Sequence, residues 1–245
     1  MHLTEKSQID LLHTAGYRAL RANYMGLLLL CVVETLKHAE AKLTANWSAF
    51  CNKKGAIRQP RKAARDPRRR VDENAVTYEL ADYIDNYLMS LPAEHIFRMV
   101  KFEFERPKNS AKLAGSHRKR LDMRFRAYVT NGPEFVIEAK PLHEQSDVVQ
   151  RYLGDEGLGR FVREDEPLTT EPLGALLGYV PAADFDKWRA DIRDATTKKE
   201  GCEHVEDLNL SPWNATYSSR HVRSWTPSSG PLWMLHLLVK HPGPD

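Results

Sequence analysis

Apolar side chains at helical spacing dominate the beginning of the chain. Over residues 4–50 they recur every three to four positions without a proline, which predicts a helical region that Gly16 or Gly26 breaks. The densest apolar run, residues 25–33, is shorter than the roughly 20 apolar residues that a membrane-spanning helix needs. It therefore predicts a buried helix and no membrane segment.

A second helix and a first strand are predicted after residue 72. Asp72 has the side chain type that caps helices, and apolar positions at helical spacing follow it over residues 73–90. Leu91-Pro92 ends that pattern, because proline cannot continue a helix. Alternating apolar and polar positions over 95–105 then predict a strand.

A hairpin is predicted in the middle of the chain. Residues 120–130 and 134–141 alternate between apolar and polar side chains, as half-buried strands do. The dipeptide Asn131-Gly132 between them is typical of a tight turn. We therefore expect the two segments to be antiparallel neighbours.

The remaining pattern completes an α/β order. The predicted elements are a helix over 144–165 interrupted at glycines 154–159, a strand over 174–180, a helix over 182–195, and strands over 214–223 and 231–240. From residue 72 the order is α-β-β-β-α-β and then α-β-β. The expected fold is α/β with a central mixed sheet and an N-terminal helical extension.

Composition and charge divide the chain into three parts. Hydrophobic residues make up 42% and charged residues 28% of the 245, which is ordinary for a globular protein with a core. Residues 52–71 contain nine Lys or Arg, one acid and two prolines, which indicates a basic linker. We expect an N-terminal helical region over 1–51 and a main domain over 72–245.

Two basic stretches are candidates for contact with a phosphate backbone. Residues 53–70 and 106–126 together hold 17 of the 36 Lys and Arg residues, although the formal net charge is only +3. The alternative is a solubilising linker. The candidate nucleic-acid-binding residues are Arg68, Arg69, Arg70, Lys119, Arg120, Arg124 and Arg126.

The candidate chemistry lies on the predicted hairpin. Side chains alternate between the faces of a strand, so Glu138 and Lys140 share one face of the second hairpin strand. On the first strand, Asp122 shares a face with Arg124, opposite Leu121, Met123 and Phe125. An acid-x-Lys triplet alone means little, because Glu40-Ala41-Lys42 is another copy in a helical stretch. The alternative is a solvated sheet face with an ion pair between Asp122 and Arg124.

Two carboxylates and a lysine suit phosphodiester hydrolysis. Mg²⁺ is commonly held by one or two carboxylates together with water and phosphate oxygens. Such a cation polarises the phosphoryl group and lowers the pKa of a bound water. A nearby lysine can orient that water and offset the charge of the phosphate.

The element order, with Asp122 and Glu138-Ala139-Lys140 on the second and third strands, resembles the PD-(D/E)XK (restriction-endonuclease-like) nuclease superfamily over residues 72–180. The resemblance implies that Asp122 and Glu138 bind Mg²⁺ or Mn²⁺, that Ala139 offers its carbonyl, and that Lys140 acts at the attacking water. Leu121 replaces the proline of the family motif.

Many members of that superfamily carry a further acid on the first core helix. The resemblance implies Glu79 for this catalytic and metal-binding role, with Glu73 as the alternative. Arg160 and Gln150, on the helix after the third strand, could reach a phosphate, but we expect both on the surface. Residues 152–161 also resemble uncharacterised nuclease-like proteins linked to bacterial antiphage defence.

The sequence therefore predicts a metal-dependent nuclease acting on DNA. Three cysteines without disulfide or zinc spacing favour a reducing, cytoplasmic setting. One alternative is an inactive nucleic-acid-binding subunit that has kept the fold. The other is an interaction protein whose N-terminal helices form a homodimer or dock a partner through the apolar stretch at residues 27–33.

Overall fold

Helices and strands alternate along the chain in the computed structural model, which describes residues 10–58, 70–107, 120–163, 166–208, 217–223 and 230–243. The helices are α1 (Ala19–Ala45), α2 (Trp47–Cys51), α3 (Glu73–Ser90), α4 (Gln145–Asp147), α5 (Gly159–Val162) and α6 (Phe185–Thr197). The strands are β1 (Ile57–Arg58), β2 (Arg70–Val71), β3 (Val100–Pro107), β4 (Arg120–Ala127), β5 (Glu134–Pro141), β6 (Leu173–Pro181), β7 (Cys202–Asp207), β8 (Tyr217–His221) and β9 (Leu232–His241).

Seven of the described strands form one mixed sheet in the order β3-β4-β5-β6-β9-β8-β7. The central neighbours β5, β6 and β9 are parallel, and the outer pairs are antiparallel. Both β6 and β9 are buried along almost their whole length, because helices cover the two faces of the parallel centre. The predicted α/β fold with a central mixed sheet is confirmed.

Helix α3 begins and ends where the sequence predicts. The Asp72 side chain accepts a hydrogen bond from the backbone N–H of Ala75 at 3.1 Å, which satisfies one of the unpaired N–H groups of the first turn. The helix buries Val76, Leu80 and Ile84 against the sheet and α1. This cap fixes the first turn of α3, and with it Glu73.

The N-terminal helices belong to the same core as the sheet. The chain breaks at Gly16, whose φ is +94°, and α1 then packs against α3 and strands β4, β5 and β9. By length and composition α1 is long and apolar enough to cross a membrane, but half of its most apolar window is buried inside this fold. The apolar stretch at residues 27–33 is mostly inside the core too, with Leu30 as its exposed member. It therefore does not supply the predicted docking surface.

Three local predictions differ from the structure. Residues Ile96–Met99 form a 3-10 turn, and β3 starts only at Val100, since the run of large apolar side chains there does not keep strict alternation. The β4–β5 connection is a wider loop over 128–133, in which Asn131 has a φ of +56°. Strand β7 was not predicted, because its residues are polar and half-exposed at the edge of the sheet.

The structure describes the two ends of the predicted basic linker. Its two ends pair as the antiparallel strands β1 and β2, which align Ile57 with Val71. Residues 59–69, which hold most of its cations, lie outside the described residues.

Candidate active site

Five charged side chains from four elements converge at one end of the sheet. Asp122 comes from β4, Glu138 and Lys140 from β5, Glu73 from the first turn of α3, and Arg160 from α5. The three residues of the predicted motif are thus brought together with Glu73, the alternative acid on α3, and with Arg160, which was expected on the surface.

Asp122 contacts β5 just beyond the point where the regular pairing of β4 with β5 ends. The regular pairing between the strands ends at Met123 opposite Ile137. Beyond that point the Asp122 Oδ2 atom accepts a hydrogen bond from the backbone N–H of Ala139 at 2.8 Å. Leu121 packs in the hydrophobic cluster on the other side of the sheet from Met123, so the expected shared face of these two residues is wrong. The N–H of Ala139 is thus bonded to the Asp122 carboxylate and not to a backbone carbonyl of β4.

Glu138 is the most deeply buried acid of the group, with its side chain only 1% exposed. Its Oε1 atom accepts hydrogen bonds from Lys140 Nζ at 2.8 Å and from Arg160 Nη1 at 2.5 Å. Its Oε2 atom is buried and has no hydrogen-bond partner among the described residues. A buried carboxylate oxygen without a partner is costly, so this atom marks a position where a ligand would be favoured.

Lys140 is held between two acids. Its ammonium group donates to Glu138 and, at 3.0 Å, to Glu73 Oε1. Burial by itself favours the neutral amine, but the charges of Glu138, Glu73 and Asp122 outweigh it and raise the pKa of Lys140. Lys140 therefore remains a cation at neutral pH, suited to hold a phosphate oxygen or a water rather than to remove a proton.

The two motif carboxyl groups are harder to ionise than ordinary acids. Burial, followed by the nearby charge of Asp122, raises the pKa of Glu138 to about 7, against the opposing effects of Lys140 and Arg160. Burial also raises the pKa of Asp122, although Lys140 and the N–H of Ala139 oppose it. Mutual repulsion between two buried carboxylates is relieved when a cation binds between them.

Arg160 reaches the site because two glycines let the chain double back. A Cβ on Gly154 would lie 1.9 Å from the carbonyl oxygen of Gln150, and one on Gly157 would lie 2.1 Å from that of Tyr152. Side chains at these positions would force the loop open. The Nη2 atom of Arg160 donates to the carbonyl of Arg120 at 2.9 Å, which fixes its guanidinium beside β4. The predicted surface position of Arg160 is therefore wrong, whereas Gln150 is exposed.

Arg151 extends the network to the outside. Its guanidinium donates to Glu73 Oε2 at 2.6 Å and approaches Glu156 at 3.6 Å. Its side chain is one third exposed. The π-helical turn Val148–Tyr152 carries this residue over the first turn of α3.

Glu79, the acid implied by the family resemblance, lies elsewhere. Six residues beyond Glu73 on a helix is about 9 Å further along and roughly 120° around the axis. Glu79 accordingly pairs with Lys53 at 2.5 Å. Glu73, the alternative, is the acid of α3 that contacts Lys140.

One predicted nucleic-acid contact is a structural ion pair instead. Arg124 donates to Glu103 at 2.6 Å and to Glu134 at 3.1 Å, and its side chain is only 15% exposed. Its position directly opposite Glu103 on β3 explains this, because cross-strand neighbours of opposite charge pair. Arg126 is exposed on the same strand, and Arg120 is exposed next to Glu105 at 3.4 Å.

Of the remaining predicted nucleic-acid-binding residues, the structure describes Arg70. Arg70 is half-buried and bonds to Glu144 beside the candidate site. Arg68, Arg69 and Lys119 lie outside the described residues.

The donor set fits a small hard cation with few protein ligands. No group of three or more His, Cys, Asp or Glu side chains in the described ranges is arranged to hold a metal ion. Mg²⁺ does not require one, since it keeps several waters and takes one or two carboxylates. The unpartnered Oε2 atom of Glu138 and the neighbouring carboxylate of Asp122 meet that requirement.

A separate groove of about 400 Å³ lies between the π-helical turn and α6. Its lining includes Val148, Val149, Leu153 and Ala195 and none of the converging charged residues. The lining also carries the charged residues Asp191, Asp194, Lys198, Lys199 and Glu200, so the groove is a mixed apolar and charged surface separate from the site at Asp122, Glu138 and Lys140.

Comparison with known proteins does not identify a relative: no family model matches the chain, and no curated protein or solved structure is significantly similar to it.

Proposed function

We propose that the protein is a metal-dependent nuclease that hydrolyses phosphodiester bonds, with DNA as the preferred substrate. The observation that carries this proposal is the buried, unpartnered Oε2 atom of Glu138 beside Asp122, with the ammonium group of Lys140 at 2.8 Å from the other oxygen. Carboxylates and a lysine in this arrangement can hold a divalent cation and a phosphate together.

Each residue of the motif has a distinct role in the proposal. Glu138 and Asp122 hold Mg²⁺ or Mn²⁺ together with the carbonyl of Ala139. When bound, the cation polarises the phosphoryl oxygen and supplies a nucleophile from water. Lys140 stays protonated and donates hydrogen bonds that orient the attacking water or offset the phosphate charge. Glu73 holds Lys140 in position from α3.

The order of elements supports a restriction-endonuclease-like core. Helix α3 is followed by the antiparallel strands β3, β4 and β5, then by the helical segment of α4 and α5, and then by β6 parallel to β5. This is the αβββαβ order, with the motif on its second and third strands. The proposal includes this core, a cytoplasmic setting and contact with the phosphate backbone through exposed cations such as Arg126.

An inactive nucleic-acid-binding subunit is the second candidate. Lys140 and Arg160 already occupy one oxygen of Glu138, so the charges of the site are satisfied in part without a metal ion. A purely structural ion-pair network of this kind would bind nucleic acid through its basic residues and cleave nothing.

The test is cleavage by the purified full chain on plasmid, linear duplex, single-stranded DNA and RNA. Asp122→Asn, Glu138→Gln and Lys140→Met are compared with the wild type in Mg²⁺, Mn²⁺ and EDTA. We expect each variant to lose about 100-fold or more in rate, because each removes a group that stabilises the reacting phosphate.

Glu103→Gln is the matched control. Glu103 is also a buried, ion-paired strand carboxylate, but it belongs to the pair with Arg124. Its loss should leave the cleavage rate of the folded protein within a few-fold of the wild type. Cleavage that survives in Glu138→Gln, or that needs no divalent cation, would refute the proposed function.

A further inference from the structure

Glu138 shares a single oxygen between two cations that differ in their surroundings. Lys140 has a second acidic partner in Glu73, and its side chain is 7% exposed. Arg160 forms no ion pair with a second acid among the described residues, although its charge also acts on Asp122, and its side chain is 19% exposed. Within the part of the chain that the structure describes, its Nη2 atom donates to the neutral carbonyl of Arg120. Arg160 is thus the more weakly held cation and the one nearer to solvent.

The charges of the cluster balance before any metal ion enters. The cluster consists of three acids, Glu73, Asp122 and Glu138, and three bases, Lys140, Arg151 and Arg160. When the acids are ionised, a divalent cation beside Glu138 adds two positive charges close to the guanidinium of Arg160. The excess positive charge must be relieved by moving a cation or by binding an anion.

We infer that Arg160 leaves Glu138 when the divalent cation binds, and that its guanidinium then binds the phosphate oxygens of the nucleic acid. This inference rests on the proposed function. Nη1 and Nη2 of Arg160 now bridge an acid and a carbonyl, and the same two donors match two oxygens of one phosphate. Metal ion and phosphodiester therefore bind cooperatively, since each removes a cost of binding the other.

Arg160 acts in this scheme as a gate and a substrate contact. Without nucleic acid it competes with the metal ion for Glu138. With nucleic acid present it becomes a partner of the phosphate next to the metal ion. Removing its charge should therefore strengthen metal binding and weaken the coupling between metal ion and substrate.

The first experiment measures the affinity of the full chain for Mn²⁺ in the absence of nucleic acid by isothermal titration calorimetry. We expect Arg160→Gln to bind Mn²⁺ about tenfold more tightly than the wild type, because a competing cation is gone. Arg160→Lys keeps the charge and should bind Mn²⁺ with nearly the wild-type affinity. Arg163→Gln is the matched control, since Arg163 follows on the same segment but pairs with the exposed Asp155 at 3.1 Å.

The second measurement is fluorescence anisotropy of a DNA duplex with and without Ca²⁺, which carboxylate oxygens also bind. We expect Ca²⁺ to raise duplex affinity in the wild type and in Arg163→Gln. The same addition should have little effect in Arg160→Gln, and Arg160→Lys should retain part of the gain, because it lacks the second donor.

The outcomes separate this inference from the proposed function. If Mn²⁺ binds the wild type and is lost in Glu138→Gln, but Arg160→Gln binds it no more tightly than the wild type, the competition with Arg160 is refuted and the metal site stands. If Ca²⁺ raises duplex affinity equally in the wild type and Arg160→Gln, the phosphate contact is refuted. If the wild type and Arg160→Gln both bind no Mn²⁺, the proposed function falls together with the inference.

Discussion

Glu73 and Glu79 are both acids of α3, but they have different partners. Comparing their variants therefore tests whether the contact of Glu73 with Lys140, rather than an acid anywhere on the helix, supports cleavage. Glu73 bonds to Lys140 at 3.0 Å and to Arg151 at 2.6 Å, whereas Glu79 pairs with the half-exposed Lys53. Substituting each by glutamine removes one negative charge and keeps the shape of the side chain. We expect Glu73→Gln to impair cleavage and Glu79→Gln to leave it unchanged.

The expected size follows from burial. Hydrogen bonds to charged groups are worth roughly 1.5–3 kcal/mol, and the 21% exposure of the Glu73 side chain lowers that by solvent screening. A loss of about 1.5–2.5 kcal/mol in the positioning of Lys140 corresponds to about a 10- to 100-fold slower cleavage step. Lys53 is 58% exposed, so its pair with Glu79 is worth about 0–1 kcal/mol and does not reach the site.

Single-turnover cleavage at saturating Mg²⁺ measures this step directly. The pH dependence of the rate adds a second reading, since removing one of the acids that raise the pKa of Lys140 should move the alkaline limit of activity to lower pH in Glu73→Gln alone. Glu73→Asp should recover part of the rate. Equal rates in the two glutamine variants, or a larger loss in Glu79→Gln, would show that Glu73 does not position Lys140.

Three further predictions concern pH and binding. Mn²⁺ binding should weaken about tenfold from pH 8 to pH 6 and release a proton near pH 7, because Glu138 ionises only at about 7 in the free protein; calorimetry in two buffers measures this, and a pH-independent affinity would exclude Glu138 as a ligand. Burial lowers the pKa of His221 and His241 to about 4. Between about pH 6.5 and 4 these histidines are therefore protonated in the unfolded chain and neutral in the folded one. Stability should then fall by about 3 kcal/mol per histidine as the pH drops from about 6.5 to 4, and chemical denaturation that gives the same unfolding free energy at both pH values would contradict this. Arg126→Gln should weaken duplex binding and reduce its salt dependence by about one unit of slope, whereas Arg124→Gln should destabilise the fold; anisotropy and melting curves that give the reverse pattern would show the two roles exchanged.

The central part of the site could be predicted from the sequence, because the alternation of side chains along a strand depends only on local residue spacing. Glu138 and Lys140 are two residues apart on a buried strand, so they share a face whatever the rest of the chain does. The hairpin that brings β4 beside β5 was also predictable from the pattern. The turn of Asp122 toward Ala139 was not, because it depends on where the pairing of the two strands ends.

The contributions of Glu73 and Arg160 depend on tertiary packing. Helical periodicity shows which residues of α3 share a face, but not which end of the helix meets β5. The glycines at 154 and 157 were visible as a bend, but the direction of the returning chain follows from close backbone contacts that no periodicity records. The ion pair of Arg124 could not be predicted for a different reason. Its pairing with Glu103 depends on the register of β3, and the predicted start of that strand was wrong.

The central claim is that Asp122 and Glu138 hold a divalent cation. The most direct measurement is an anomalous difference map from crystals of the protein soaked in Mn²⁺. We expect a peak within ligand distance of Glu138 Oε2 and of the Asp122 carboxylate, with Arg160 displaced from Glu138. The claim would be contradicted if the map had no peak at that position and the refined structure still showed Lys140 and Arg160 bonded to Glu138 Oε1.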